Sequence, residues 1–206
     1  MSRARNPHGR LPTLARAAIK LSLVAAGLAF ATTAQAQCSR ASLQKLTDTY
    51  MKAQSTGKAS LLPLAKGASY AENDQVMDIG KGVLANALQV DFTRSFHDTT
   101  QCASFTELVA ANDPHPYVIH TRIEATKAGN VAKMDSVVTD AGDWMFGAAE
   151  HLAVTRTQDW GVIPKDQRDT RAVLRAAADA YLDNWGDPTL PVPHGTPCAR
   201  LEGRIN

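Results

Sequence analysis

The 206-residue sequence lacks the short motifs that hold common cofactors. It contains no G-x-G-x-x-G segment for dinucleotides, no G-x-x-x-x-G-K-[ST] phosphate loop, no G-x-S-x-G nucleophile elbow and no H-E-x-x-H zinc motif. Its six histidines do not stand at metal-ligand spacings from cysteines or carboxylates. The sequence therefore predicts no bound cofactor and no metal. It favours chemistry by carboxylate, imidazole, phenol and guanidinium side chains.

Long apolar runs are also missing. The longest, at residues 21–31, is shorter than the roughly 20 residues that a membrane-spanning helix needs. It follows a basic stretch and precedes Ala34-Gln35-Ala36, which is the layout of a secretory signal peptide cleaved before Gln37. We therefore expect residues 1–36 to be a leader and residues 37–206 to form one secreted or periplasmic domain. After leader removal we expect no membrane contact.

Neither sign of charge dominates the chain. The 22 Lys and Arg residues and 20 Asp and Glu residues give a net charge of +2, but five of the basic residues lie in the leader. The remainder has 17 basic and 20 acidic side chains, a net charge of −3. This balance argues against a nucleic-acid partner. A chain of 170 residues after the leader is long enough to bury one core.

Hydrophobic periodicity predicts an α+β fold. Helical spacing of apolar residues predicts helices at 39–54 and 167–185, with Ser39 and Asp166 as N-caps. Alternating polar and apolar residues and turn signals predict strands at 68–71, 75–79, 90–98, 102–111, 117–126 and 131–139. A helix, successive strands and a second helix predict a curved antiparallel sheet whose helices cover one face and enclose a pocket.

Ionisable residues on apolar strand faces are the first candidates for chemistry. In the strand 90–98, Arg94 and Asp98 share a face with Phe92 and Phe96, and Glu107 joins the apolar face of the next strand. Charges there are costly unless they are paired or solvated by a pocket. Two interpretations stay open: a polar floor in an apolar cavity, or a cross-strand Arg94–Glu107 ion pair.

Other polar residues have two interpretations each. His97 is a general base near neutral pH or a surface histidine, and His120 is a site residue or part of a solvated or subunit-contact face. Asp143, beside Trp144, is a base with a raised pKa or a helix cap. The predicted catalytic residues are Arg94, His97, Asp98, Glu107, His120 and Asp143. The predicted substrate-binding residues are Tyr50, Tyr70, Asn73, Phe92, Phe96, Trp144 and Tyr181.

The C-terminal part resembles a known family. The segments R-x-x-R, ADAYLD and VPHGTPCARLEG, together with the upstream pieces AENDQ, FHDTTQC, HPYVI and VTDAGDWMF, resemble secreted, mainly fungal proteins of unknown function. Their fold resembles the SnoaL-like, or nuclear-transport-factor-like, α+β cone. The resemblance implies a cofactor-independent lyase, dehydratase or isomerase acting on a small hydroxylated molecule, for which the aromatic content suits a plant-derived aromatic compound. The alternatives are a secreted ligand-binding protein and an interaction protein without a cavity.

All three cysteines follow the leader, and one bridge with one leftover thiol is the simplest arrangement. Members of the resembling family continue past the RLEGG segment to a further cysteine, whereas this sequence stops at Asn206. The resemblance therefore implies that Cys198 lacks its partner, and it favours a Cys38–Cys102 bridge. We also expect the domain to self-associate through its open sheet face.

Overall fold

The computed structural model describes residues 38–205. The predicted leader, Gln37 and Asn206 lie outside the described residues, so the signal peptide and its cleavage stay predictions. Within residues 38–205, no helix is both long enough and apolar enough to cross a bilayer.

Three helices and a six-stranded sheet make up the described domain. In chain order the elements are α1 Arg40–Thr56, β1 Leu64–Glu72, β2 Gln75–Val76, β3 Phe92–Asp98, β4 Ala103–Ala110, β5 Tyr117–Ala125, β6 Val131–Thr139, α2 Ala148–Thr155 and α3 Arg171–Asp183. The strand order in the curved sheet is β2-β1-β6-β5-β4-β3. Every neighbouring pair is antiparallel except β1 and β6, which run parallel. The predicted α+β class is confirmed.

Helix α1 forms where the sequence predicts it. The Ser39 side chain accepts a hydrogen bond from the Ser42 amide at 3.0 Å and caps the first turn. Gly57 ends the helix in the left-handed conformation, at φ 62°. Leu46 and Tyr50 lie on its apolar face and are buried against strands β5 and β6. This packing covers one face of the sheet and forms its main core.

The second face of the sheet is covered in part by α2, a helix that the sequence pattern does not predict. Ala148 and Leu152 pack against Val109 of β4 and Val118 of β5. The helix begins after Gly147, which supplies no side-chain cap, and it has only eight residues. Its position on the face opposite α1 means that helices lie on both sides of the sheet.

Helix α3 forms within the predicted range but differs from the prediction in two ways. Its N-cap is Thr170, whose hydroxyl accepts a hydrogen bond from the Val173 amide, and not Asp166, which lies in a separate single turn. None of its residues is buried, so it does not cover the sheet as a core helix does. At its first turn, the Arg171 guanidinium binds the Asp98 carboxylate with distances of 2.7 and 2.8 Å.

The cysteine prediction is confirmed by the structure. Cys38 and Cys102 form a disulfide that joins the start of α1 to the turn between β3 and β4. Cys198 is a free, exposed thiol.

Candidate functional site

Strand register lines up three polar side chains on the face opposite α1. Arg94 of β3 lies opposite Glu107 of β4, and Glu107 lies opposite His120 of β5. The register of these two strand pairs has no shift, so the side chains of the row point to the same side. The sequence thus builds a polar row across three neighbouring strands.

Helix α2 places two more polar side chains in contact with this row. His151 and Thr155 are four residues apart, so they share one face of the helix. His151 Nε2 lies 2.9 Å from Glu107 Oε1, and the Thr155 hydroxyl donates to the same oxygen at 2.9 Å. The other oxygen, Oε2, lies 2.5 Å from Nη2 of Arg94. Both carboxylate oxygens of Glu107 are therefore engaged.

The Glu107 carboxyl is held in its ionised form, although its side chain is only 6% exposed. Burial alone would raise its pKa. Hydrogen bonds from His151 and Thr155 and the charge of Arg94 outweigh that effect and lower the pKa to about 2. Glu107 is therefore an anion throughout the neutral range.

His151 carries the complementary positive charge. Its Nδ1 lies 3.0 Å from the Gly203 carbonyl oxygen, and its Nε2 faces the Glu107 carboxylate. Since both partners can only accept, both ring nitrogens carry protons. Burial works to lower the pKa of His151, but the bonds to Glu107 and to the Gly203 carbonyl raise it. His151, Glu107 and Arg94 thus form a fixed network with one excess positive charge.

His120 differs from His151 because none of residues 38–205 makes a hydrogen bond to its ring. The half-buried ring stacks on Phe105 with centroids 5.8 Å apart, and it meets the His151 ring edge-on at 6.1 Å. Burial lowers the pKa of His120 more than the neighbouring Glu107 charge raises it. A neutral imidazole therefore faces the cavity at neutral pH.

The polar row is the floor of a cavity of about 610 Å³, a size typical of small-molecule sites. Its aromatic lining consists of Phe96, Phe105, Trp144, Phe146 and Trp160. Residues 199–203, apart from Glu202, close one side. The Trp160 ring packs edge-on against Phe96 at 5.2 Å and lies 4.6 Å from the Arg94 guanidinium carbon. The cavity is therefore apolar at its walls and charged at its floor.

Five of the residues predicted from sequence line this cavity: Arg94, Phe96, Glu107, His120 and Trp144. Arg94 and Glu107 form the cross-strand ion pair, and that pair lies at the cavity floor; their role as site residues stays a prediction.

The other three predicted catalytic residues lie elsewhere. His97 is on the opposite face of the sheet, where its Nε2 lies 3.0 Å from the amide oxygen of Gln44 in α1. Asp98 binds Arg171, as described, and accepts from the amides of the turn that follows β3. Asp143 accepts from the Asp140 amide and closes a turn. Each of these side chains has a local structural partner.

Two of the predicted substrate-binding tyrosines are in the core on the α1 side. Tyr50 is fully buried, its hydroxyl lies 2.9 Å from the Thr121 hydroxyl, and burial raises its pKa to about 12. Tyr70 is also buried and donates to the Glu72 carboxylate, and burial together with that hydrogen bond raises its pKa. Neither ring reaches the cavity.

Three further predicted substrate-binding residues also lie outside the cavity. The Asn73 side chain donates to and accepts from the backbone of Val138 at 2.9 Å. Phe92 packs with the apolar cluster under α2. Tyr181 lies on α3, where its hydroxyl accepts from Arg200 at 3.0 Å.

Sequence reasoning missed several lining residues, of which His151 is the most consequential. The one available signal was the four-residue spacing of His151 and Thr155, in a segment too short to stand out as a helix. Phe146, Trp160 and Gly203 reach the cavity through long-range contacts that no local pattern reveals.

Glu107, His120 and His151 are also the described residues best placed to hold a metal ion. One candidate ligand atom from each lies within 4.8 Å of the other two. Imidazole and carboxylate ligands suit zinc or iron. In the present arrangement, however, His151 Nε2 and Glu107 Oε1 are bonded to each other, and Arg94 lies against Oε2. A cation would have to displace the proton on Nε2 and sit beside the guanidinium.

Comparisons with known proteins bear on the C-terminal part and on the fold. A family model described as a domain of unknown function (DUF8021) matches residues 167–206. None of the curated proteins matches the chain. The resemblance of this segment to proteins of unknown function is thereby supported for those residues, and the wider family assignment stays a prediction.

Two solved structures show a distant likeness. An NTF-2 like protein of unknown function from Burkholderia xenovorans LB400 is 11% identical, with a TM-score of 0.38 over 59% of this chain and 97% of that one. PrhC from Penicillium brasilianum is 8% identical, with a TM-score of 0.35 over 48% of this chain and 82% of that one. At this level the likeness decides nothing about chemistry.

Proposed function

We propose that the protein is an exported, cofactor-independent lyase, dehydratase or isomerase that transfers a proton on a small hydroxylated molecule, suited to an aromatic one. The observation that carries this proposal is the contrast between the two cavity histidines. Hydrogen bonds to Glu107 and to the Gly203 carbonyl raise the pKa of His151, whereas burial lowers the pKa of His120, whose ring has no hydrogen-bond partner among the described residues. Groups pushed in opposite directions are typical of acid–base sites.

His120 is the general base in this proposal. A base must be unprotonated at the working pH, and burial lowers the pKa of His120 below its usual 6.5. Stacking on Phe105 fixes the plane of the ring beneath the cavity. A substrate seated between the aromatic walls would therefore present an acidic C–H or O–H group to a base of fixed orientation.

Arg94 stabilises the negative charge that develops on the substrate. Its Nη2 is held by Glu107, Thr155 and Gln158, at 2.5, 2.7 and 3.0 Å. None of the described side chains binds Nη1, so that nitrogen is free to donate to an oxyanion. A donor already held in place needs no reorganisation during the reaction. Glu107, Thr155 and His151 act as positioning residues for this guanidinium.

The export part of the proposal rests on the predicted leader and on the Cys38–Cys102 disulfide, since such bonds persist in oxidising compartments. Self-association through the open sheet face stays a prediction.

Hydrogen exchange in heavy water tests the proton-transfer proposal even when the reaction product is not known. Wild-type protein is incubated with a mixture of hydroxylated aromatic and carbonyl compounds, and deuterium incorporation is read by mass spectrometry. We expect incorporation into at least one component, lost in His120→Gln and kept in His115→Gln, a histidine on an exposed loop outside the cavity. The exchange rate should fall as the pH drops through the pKa of His120, since protonation removes the base.

Three other results would lead elsewhere. Exchange that survives in His120→Gln would remove His120 as the base. Exchange that is abolished by EDTA and restored by zinc would show that the Glu107, His120 and His151 cluster works as a metal centre, and the cofactor-independent proposal would fall. Saturable binding without exchange would favour the alternative function, a secreted protein that holds a small ligand in the same cavity.

A further inference from the structure

We infer that the cavity takes a monoanion: a small molecule with an aromatic or otherwise apolar body and one carboxylate group, placed against the Arg94 guanidinium. The inference rests on the proposed function only through the shared cavity, because it concerns which ligand binds and not whether it reacts.

The charge balance of the lining supports this ligand class. Glu107 is the only acidic side chain among the residues that line the described cavity, while Arg94, His151 and Arg200 are basic. Arg200 is neutralised by its neighbour Glu202. Arg94 and the doubly protonated His151 share the single charge of Glu107, so the floor keeps one positive charge.

An excess charge in a partly buried site is costly unless a counter-charge reaches it. The Arg94 side chain is only 14% exposed, and its Nε–H is buried with no hydrogen-bond partner among the described residues. Water cannot fully solvate such a group. An anionic group on the bound ligand would neutralise this excess charge.

The shape and chemistry of the walls determine the rest of the ligand. Phe96 and Phe105 extend from the strands of the floor, whereas the other aromatic side chains belong to the segments on either side of α2. Among these, Trp160 lies over the Arg94 guanidinium at 4.6 Å. A carboxylate on Nη1 would therefore leave the ligand body among aromatic rings, and a proton removed next to that carboxylate would leave its charge on the oxygens that Arg94 already binds. A single excess charge fits a carboxylate better than a phosphate dianion. The floor is positive, whereas the chain after the predicted leader carries a net charge of −3. The site is therefore a local region of positive potential that attracts an anion to an otherwise acidic protein.

The test compares two probes of the same shape that differ in charge, 3-phenylpropanoate and 3-phenylpropanamide, with isothermal titration calorimetry on the wild-type protein. We expect the carboxylate to bind about tenfold more tightly or better, since a hydrogen bond to a charged group is worth roughly that factor. Raising the salt concentration should weaken the carboxylate more than the amide. Equal binding of the two probes, tighter binding of the amide, or no binding of either up to the solubility limit would overturn the inference.

Two variants locate the charge. In Arg94→Gln the preference for the carboxylate should disappear. In Arg122→Gln it should persist, because Arg122 extends from the same sheet face but outside the cavity and pairs with Glu124. A preference that survives in Arg94→Gln would overturn the assignment to Arg94. Should that variant fail to fold, the comparison of the two probes on the wild type still decides whether the cavity prefers a carboxylate.

Inorganic phosphate serves as a third probe. Phosphate binding as tight as that of 3-phenylpropanoate would show that the aromatic walls contribute nothing, and it would overturn the apolar-bodied ligand. Carboxylate preference without deuterium exchange would support this inference and remove the proposed catalysis. Exchange on a neutral compound, together with equal binding of the carboxylate and the amide, would support the proposed catalysis and overturn this inference. The two failures are therefore distinguishable.

Discussion

Replacement of Glu107 by glutamine should destabilise the protein by about 3 kcal/mol. The carboxyl pKa lies at about 2 instead of its usual 4.5, and one pKa unit corresponds to about 1.4 kcal/mol between the two protonation states. Glutamine keeps the shape and one acceptor oxygen but cannot carry the charge. It therefore leaves Arg94 and His151 without their shared anion in a site where water is scarce.

The size of this loss should depend on pH in a defined way. Because the folded-state pKa of Glu107 is lowered, its contribution is fully present above 4.5 and is lost as the pH falls towards 2. Because the folded-state pKa of His151 is raised, its contribution is present below 6.5 and is lost as the pH rises through the folded value. The difference between wild type and Glu107→Gln should therefore be largest between pH 4.5 and 6.5.

Urea denaturation followed by circular dichroism across this pH range measures the effect. Glu124→Gln is the matched control, since Glu124 pairs with Arg122 on the same sheet but is 40% exposed. Exposed pairs contribute about 0 to 1 kcal/mol. If Glu107→Gln costs no more than Glu124→Gln between pH 4.5 and 6.5, the buried network does not stabilise the fold and the reasoning is wrong.

Two further predictions concern the closure of the site and the disulfide. Gly203→Ala should lower the melting temperature and weaken ligand binding, because Gly203 has φ 57° and an added Cβ would overlap the Met145 carbonyl; Gly195→Ala, with open space around it, should change neither. A Gly203→Ala protein with unchanged melting and binding would contradict the role of this turn. Cys38→Ser should cost about 4 kcal/mol by the loop-entropy estimate for a bridge that spans 64 positions, and Cys198→Ser should leave the unfolding free energy unchanged because that thiol is free and exposed. Equal effects of the two serine variants on the unfolding free energy would refute the prediction for the disulfide.

The part of the fold that could be predicted from sequence is the part set by local periodicity. Strands β3 to β6 and helix α1 carry clear apolar alternation or helical spacing, and the predicted ranges match the structure to within a few residues. The same alternation places Arg94 and Glu107 on one face, because β3 and β4 pair without a register shift. It also places His97 on the other face from Asp98, so both could not have served one cavity.

The rest depends on contacts between distant parts of the chain. No periodic pattern in the sequence predicts that β1 pairs in parallel with β6 or that α2 lies over β4 and β5. His151 becomes a site residue only because α2 docks on that face and because the backbone at Gly203 comes within 3.0 Å of its ring. Tyr50 and Tyr70 are predicted substrate-binding residues but lie in the core. The sequence does not separate the two cases, because a tyrosine fits a pocket and also fits a core that supplies a partner for its hydroxyl.

The contact between the Gly203 carbonyl and His151 has a practical consequence for handling the protein. A protease that cuts the exposed stretch after α3 would leave the sheet, its disulfide and α2 intact, yet it would release the segment that orients the imidazolium. Such a nicked sample would keep the circular dichroism of its sheet and helices while its binding site has come apart. An intact mass measured beside every assay would separate that damage from a true absence of activity.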